Sequence, residues 1–118
     1  ALAGGLRDLP PGPFNMNRLA AELQPALDFQ RRTGSPLVVG EFGCVRWAPD
    51  GSTLRWITDC IALFDSHGWH WCFHSFRTWP GWDAEIDDVH PEATRRTPDA
   101  PVMRLLRRAL VSTGGPGR

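Results

Sequence analysis

The sequence predicts an α/β fold in which two parallel strands alternate with helices. Three observations lead there. Two short apolar runs occupy residues 37–42 and 69–76, an amphipathic stretch of helical length separates them, and helical periodicity precedes the first run and closes the chain. The order is helix, strand, helix, strand, long loop, helix, and that alternation implies parallel strands joined by right-handed crossovers.

Residues 1–15 hold Pro10, Pro11, Gly12 and Pro13 and read as an irregular lead-in. Asn15 or Asn17 can cap a helix whose apolar positions Leu19, Leu23, Ala26 and Leu27 recur at helical spacing. Pro25 removes a backbone donor and crowds the preceding turn, so a kink or a restart is expected there, and Gly34 ends the element. Leu37-Val38-Val39-Gly40-Glu41-Phe42, opened by Pro36, reads as a buried strand.

A loop with Arg46, Trp47 and Pro49 runs to Gly51, and Ser52 is the expected N-cap of the next helix. Leu54, Ile57, Ile61 and Phe64 form its apolar stripe, with Gly68 as the stop. The run 69–76 is apolar on both faces, as parallel strands covered on both sides tend to be. Residues 77–100 are polar and rich in Pro and Asp, and a loop of that length is usually functional or disordered. A last helix over 101–111 uses Val102, Leu105, Leu106 and Leu110. The folded segment is therefore 16–111, and 112–118 is expected to be a disordered tail.

The 118 residues amount to one domain or less, and their 42% hydrophobic and 22% charged content is globular. Thirteen basic residues, all Arg, cancel thirteen acidic ones, so charge gives no argument for nucleic acid or an anionic membrane as partner. Cys44, Cys60 and Cys72 show neither a metal-ligand spacing nor a disulfide framework; Cys60 and Cys72 read as small buried hydrophobes. No metal or cofactor is implied. No apolar run is long enough for a transmembrane helix, and the N-terminal residues do not read as a secretory signal, so one is expected either to have been removed or to lie in upstream sequence.

Glu41 is the residue to explain. It lies near the C-terminal end of an otherwise apolar strand, where an ionised carboxylate is rarely placed without purpose. One reading is a structural ion pair with Arg46 or Arg77. The other is catalysis, since the C-terminal ends of the strands form the active-site face of α/β barrels.

Pro36-Leu-Val-Val-Gly-Glu-Phe-Gly43, followed by Arg46-Trp47-Ala-Pro, resembles the seventh-strand nucleophile motif of glycoside hydrolase family 5, the endoglucanase and mannanase family. Gly68-Trp-His-Trp-Cys-Phe-His-Ser-Phe-Arg-Thr-Trp-Pro-Gly-Trp82 resembles strand eight and its loop in the same family. The likeness is colinear over roughly residues 16–110. It implies the C-terminal part of a (β/α)8 TIM barrel, its last two parallel strands with flanking helices. It also implies retaining hydrolysis of a β-linked polysaccharide of the endo-β-1,4-glucanase type, with Glu41 as nucleophile and a secreted or periplasmic location.

Such a reaction needs a second carboxylate about 5–5.5 Å from the first as acid/base. The family draws it from an Asn-Glu-Pro on the fourth strand, which this sequence lacks. A whole barrel takes about 250 residues, so the chain is expected to be a C-terminal fragment, inactive alone, whose partners are the missing N-terminal part of the barrel and a β-linked poly- or oligosaccharide.

Alternation on the second strand puts Trp69, Trp71 and Phe73 on one face and His70, Cys72, His74 and Phe76 on the other. The resemblance implies that His74, with Phe76 beyond it, stands where many family members place the Trp that floors the sugar subsite. Trp47, Trp79 and Trp82 lie on the adjoining loops and either stack on sugar rings or anchor those loops by burial. Trp56 reads as helix packing, and His67 as a cation near a helix C-terminus. Asp83, Glu85, Asp87 and Asp88 read as a solvated acidic run, in which Glu85 matches a family position that shapes the loop or contacts substrate. The competing class is a non-catalytic carbohydrate-binding or interaction fragment that uses exposed Trp residues.

Overall fold

A computed structural model describes residues 15–112. The lead-in and tail lie outside them apart from Asn15, which caps the first helix, and Ser112, which ends the last. Helix α1 spans Met16–Thr33, strand β1 Val38–Phe42, helix α2 Ser52–Ser66, strand β2 His70–Phe73 and helix α3 Pro101–Ser112, with a 3₁₀ turn at Pro49–Gly51. β1 and β2 pair in parallel across the α2 connection, so the class is α/β.

The first helix starts where Asn15 Oδ1 accepts from the Arg18 amide at 3.1 Å. It runs as one helix through Pro25, so the chain does not restart there. Pro25 and Ala21, whose carbonyl loses its intrahelical donor, are both exposed, so the freed carbonyl is open to solvent. Ser52 is the first helical residue of α2 and not its cap; Gly51 takes that place, without a side-chain hydrogen bond. Gly68 ends α2 with φ 67°, a left-handed conformation that any side chain would disfavour.

Helix α2 is central to the packing. Cys60 and Phe64 meet Leu19 of α1 and Trp69, while Ile57 and Ile61 meet Leu106 of α3 and Ala84. Phe42 joins the two groups, with its ring edge-on to Phe64, Trp71 and Phe73 at 5.1, 5.5 and 5.7 Å. Of the α3 stripe, Leu106 is buried and Val102 and Leu105 are partly buried against this core, but Leu110 is exposed.

Val39 pairs with Trp71 and Phe42 with Phe73, so three steps along β1 match two along β2. That extra residue is a β-bulge. Strict alternation from Val39 would turn Phe42 away from the helices and Glu41 toward them. With the bulge, Val39 and Phe42 both pack on the helical layer, and Gly40 and Glu41 are both exposed.

The opposite sheet face is uncovered: Val38, Gly40, Glu41, His70 and Cys72 are exposed. Cys72 is thus not the buried hydrophobe its composition suggested, because no second layer among the described residues covers its side of the sheet. Among the described residues β1 and β2 have no other strand beside them. The described residues form a slab of 45 × 43 × 24 Å with a radius of gyration of 15.6 Å, against about 13 Å for a compact domain of about 100 residues.

β2 ends at Phe73, three residues before the expected Phe76. The Ser75 amide donates to the Trp82 carbonyl at 3.2 Å and the Ala84 amide to the Ser75 carbonyl at 3.1 Å, folding the following loop back over the strand end. Residues 77–100 contain no helix or strand, yet they are fixed by ion pairs. Arg77 Nε donates to Glu85 Oε2 and Arg96 Nε to Asp83 Oδ2, each at 2.7 Å. Asp83 and Glu85 are therefore buried, not solvated; Asp87 and Asp88 are exposed as expected.

Candidate active site

At the C-terminal end of the strand pair, Glu41 stands on the uncovered face with its side chain 68% exposed. Its Oε1 lies 3.8 Å from His74 Nε2, beyond hydrogen-bond reach but close enough to pair with an imidazolium. Glu41, Phe42, Gly43, His74 and Trp82 line one shallow open recess of about 150 Å³.

Backbone contacts hold the two strand ends together. The His74 amide donates to the Phe42 carbonyl at 2.8 Å. A Cβ at residue 43 would overlap the His74 carbonyl, so only glycine allows this approach. Trp56 reaches up from α2, its Nε1 donating to the Gly43 carbonyl at 3.1 Å.

Four rings continue outward from the carboxylate. His74 meets Trp82 with ring centroids 5.1 Å apart, Trp82 meets Trp79 at 4.8 Å, and Trp79 meets Trp47 at 5.5 Å, all at steep interplanar angles. Trp79 is 48% and Trp82 36% exposed; Trp47 is partly buried. The row combines mutual anchoring with open apolar surface. Phe76 does not join it, because the turn after Phe73 carries it away from the recess. Its ring lies under the Arg77 guanidinium at 4.8 Å and is 56% exposed.

The ion-pair reading of Glu41 does not hold. Arg46 turns to backbone carbonyls of the long loop, and Arg77 is bidentate to Glu85. The hydrogen bond that Arg77 donates to Glu85, and then the charge of that carboxylate, holds the guanidinium above its ordinary pKa. Glu85 shapes the loop, and both its oxygens are occupied. No second carboxylate lines the recess.

The remaining titratable groups lie elsewhere. Burial, followed by the charges of Asp59 and Cys44, pushes the Cys60 thiol up to about 12. Burial also raises Cys44, against a hydrogen bond with Thr53. Neither is a ready thiolate. His67 lies at the C-terminus of α2 with its ring 5.1 Å from that of Trp69, and His90 Nδ1 accepts from the Glu92 amide. Among the described residues no three of His, Cys, Asp and Glu are grouped to hold a metal ion, and no helix is long and apolar enough to cross a membrane.

The bulge, the Gly43 approach and the destination of Arg46 were missed by sequence reasoning. Only Gly43 had a signal, as a second glycine closing Gly40-Glu-Phe-Gly43. No protein-family model matches the chain, and no curated protein matches it.

Proposed function

We propose that the chain is the nucleophile-bearing C-terminal part of a retaining glycoside hydrolase of the endo-β-1,4-glucanase type. The observation that carries this reading is the position of Glu41. It is a carboxylate free of Arg among the described residues, at the C-terminal end of a parallel strand, opening into a recess edged by His74 and Trp82. Ligand sites of parallel α/β sheets gather at that end of the strands.

In such a reaction the Glu41 carboxylate attacks the anomeric carbon and forms a glycosyl ester. A carboxylic acid protonates the departing oxygen, and its conjugate base then activates the water that cleaves the ester. The rest of a barrel would supply that acid. Among the described residues, the uncovered sheet face and the unaccompanied outer sides of β1 and β2 support a missing set of strands. A polymeric substrate supports a secreted or periplasmic location.

A glycoside whose leaving group needs no protonation tests Glu41 separately from the acid. A 2-deoxy-2-fluoro-β-cellobioside with a dinitrophenolate leaving group should add its glycosyl mass to Glu41, read by peptide mass spectrometry, and Glu41→Gln should abolish the adduct. Labelling at another residue, or none, removes the nucleophile role. The second reading, sugar binding without catalysis, is favoured by the exposure of Trp79 and Trp82. It predicts cellohexaose binding without any covalent adduct.

A further inference from the structure

Arg46 is 8% exposed, and the acceptors around its guanidinium are all backbone carbonyls. Nε donates to Pro80 O at 2.7 Å, Nη1 to Asp88 O, and Nη2 is shared among His90, Pro91 and Ala93 at 2.9, 3.1 and 3.0 Å. Its own amide donates to Gly81 O at 3.0 Å. A guanidinium has five N–H donors in a rigid fork and no acceptor, so a cage of carbonyls can satisfy it without a counter-ion. Burying that charge is costly unless each contact is kept.

The carbonyls come from two separate limbs of the long loop. One is Pro80 and Gly81, the two residues between Trp79 and Trp82; the other is the stretch 88–93. The guanidinium also lies 5.2 Å over the Trp47 ring, which in turn meets Trp79. Arg46 thus bears directly on the Trp47 ring and, through Pro80 and Gly81, on the turn that carries Trp79 and Trp82.

We propose that Arg46 is a positioning residue. It clamps the Trp79–Trp82 turn against the 88–93 limb, aligns the indole row with the Glu41 recess, and thereby sets affinity for a β-linked glucan chain without taking part in chemistry at Glu41. The glucan in this statement rests on the function proposed above; the clamp does not.

The test uses the full 118-residue chain. Rings as close as Trp79 and Trp82 give an exciton couplet in far-ultraviolet circular dichroism, identified as the part lost in Trp79→Phe. Lys has a compact ammonium in place of the fork and cannot span both limbs. Arg46→Lys is therefore expected to lose that couplet as fully as Trp79→Phe does, with helical ellipticity retained, and to weaken cellohexaose binding about tenfold or more, as misplacement of a positioning group does. An unchanged couplet overturns the proposal.

Should Arg46→Lys lose its helical signal as well, hydrogen exchange on the unmodified chain decides. The Arg46 Nε–H should exchange in the same opening as the Trp82 and Ala93 amides. A freely exchanging Nε–H beside a protected Trp82 amide overturns the clamp. An unmodified chain that binds no cellohexaose, while Arg46→Lys still loses the couplet, sinks the glucan reading and leaves the clamp standing.

Discussion

Gly43 and His74 meet backbone to backbone, so closely that a Cβ on residue 43 would overlap the His74 carbonyl. This contact fixes the spacing of the two strand ends that carry Glu41 and His74. Gly43→Ala must push the ends apart, at a cost of about 1–3 kcal/mol as for other overpacked sites. Denaturant unfolding should show that loss, and covalent labelling of Glu41 should fall with it. Unchanged stability would mean that the strand ends yield freely.

Ile57 is fully buried on α2, between Ala84 of the long loop and Leu106 of α3. Ile57→Val should cost about 0.5–1.5 kcal/mol and Ile57→Ala about 2–5 kcal/mol. Since a domain's total stability is only about 5–15 kcal/mol, the alanine variant should lie near the folding threshold. Equal midpoints for the two variants would show that α2 is not the packing centre.

Asp83 has a fully buried carboxylate held by Arg96, with the Glu85 amide on its other oxygen. Arg96→Met leaves that carboxylate with one partner. The expected destabilisation is about 1.5–3 kcal/mol, the range for a hydrogen bond to a charged group, reduced toward its lower end because Arg96 itself is 41% exposed. The loss should be felt first in residues 77–100, as faster exchange of the Thr97 amide, which donates to Glu85 O. Retained protection there would remove the ion pair from the account of loop order.

Two of the three thiols should differ sharply in reactivity. Cys72 on the uncovered sheet face should alkylate readily at neutral pH, while Cys60 should react only on unfolding. Its thiol is raised from 9.0 to about 12 by burial and then by the charges of Asp59 and Cys44. A thiol raised in the folded state contributes its stability fully below pH 9, where both states keep the proton. That contribution is lost as pH rises from 9 toward 12, because the unfolded chain releases the proton first. Cys60→Ala should flatten this part of the pH–stability profile, and an unaltered alkaline slope would assign it elsewhere.

The order of elements was legible because each carries its own local signal: Val38 and Val39 for a strand, the stripe Ile57, Ile61 and Phe64 for a helix, Gly34 and Gly68 as stops. The orientation of Glu41 was legible only in part. Its place at the strand end follows from position, but the face it takes depends on a bulge set by pairing with β2, which no local pattern records. Arg46 was read toward a carboxylate because backbone carbonyls leave no trace in a sequence, and their convergence is a product of loop conformation. Asp83 and Glu85 read as solvated because their arginine partners stand 13 and 8 residues away. At Pro25 the restart alternative fails because the helix continues through it, with Pro25 on an exposed position.

The 118-residue chain alone should not hydrolyse carboxymethyl-cellulose above the level of Glu41→Gln. Attack by Glu41 on an unactivated glycoside expels an alkoxide unless an acid protonates the departing oxygen, and deglycosylation needs the same group as base. Glu85 is bound through both oxygens by Arg77, and Asp83 is buried on Arg96. His74 lies 3.8 Å from Glu41, closer than the about 5–5.5 Å at which an acid and a nucleophile flank one glycosidic bond. Absence of a general acid typically removes about 10²- to 10⁴-fold in rate, and an open sheet face gives little positioning besides. Carboxymethyl-cellulose turnover measured by reducing ends should therefore coincide for the two proteins, while the fluoro-cellobioside, which needs no acid, still separates them. Turnover that Glu41→Gln abolishes would require an acid/base within these residues. Arg77→Met, which frees Glu85, would be the first variant to examine.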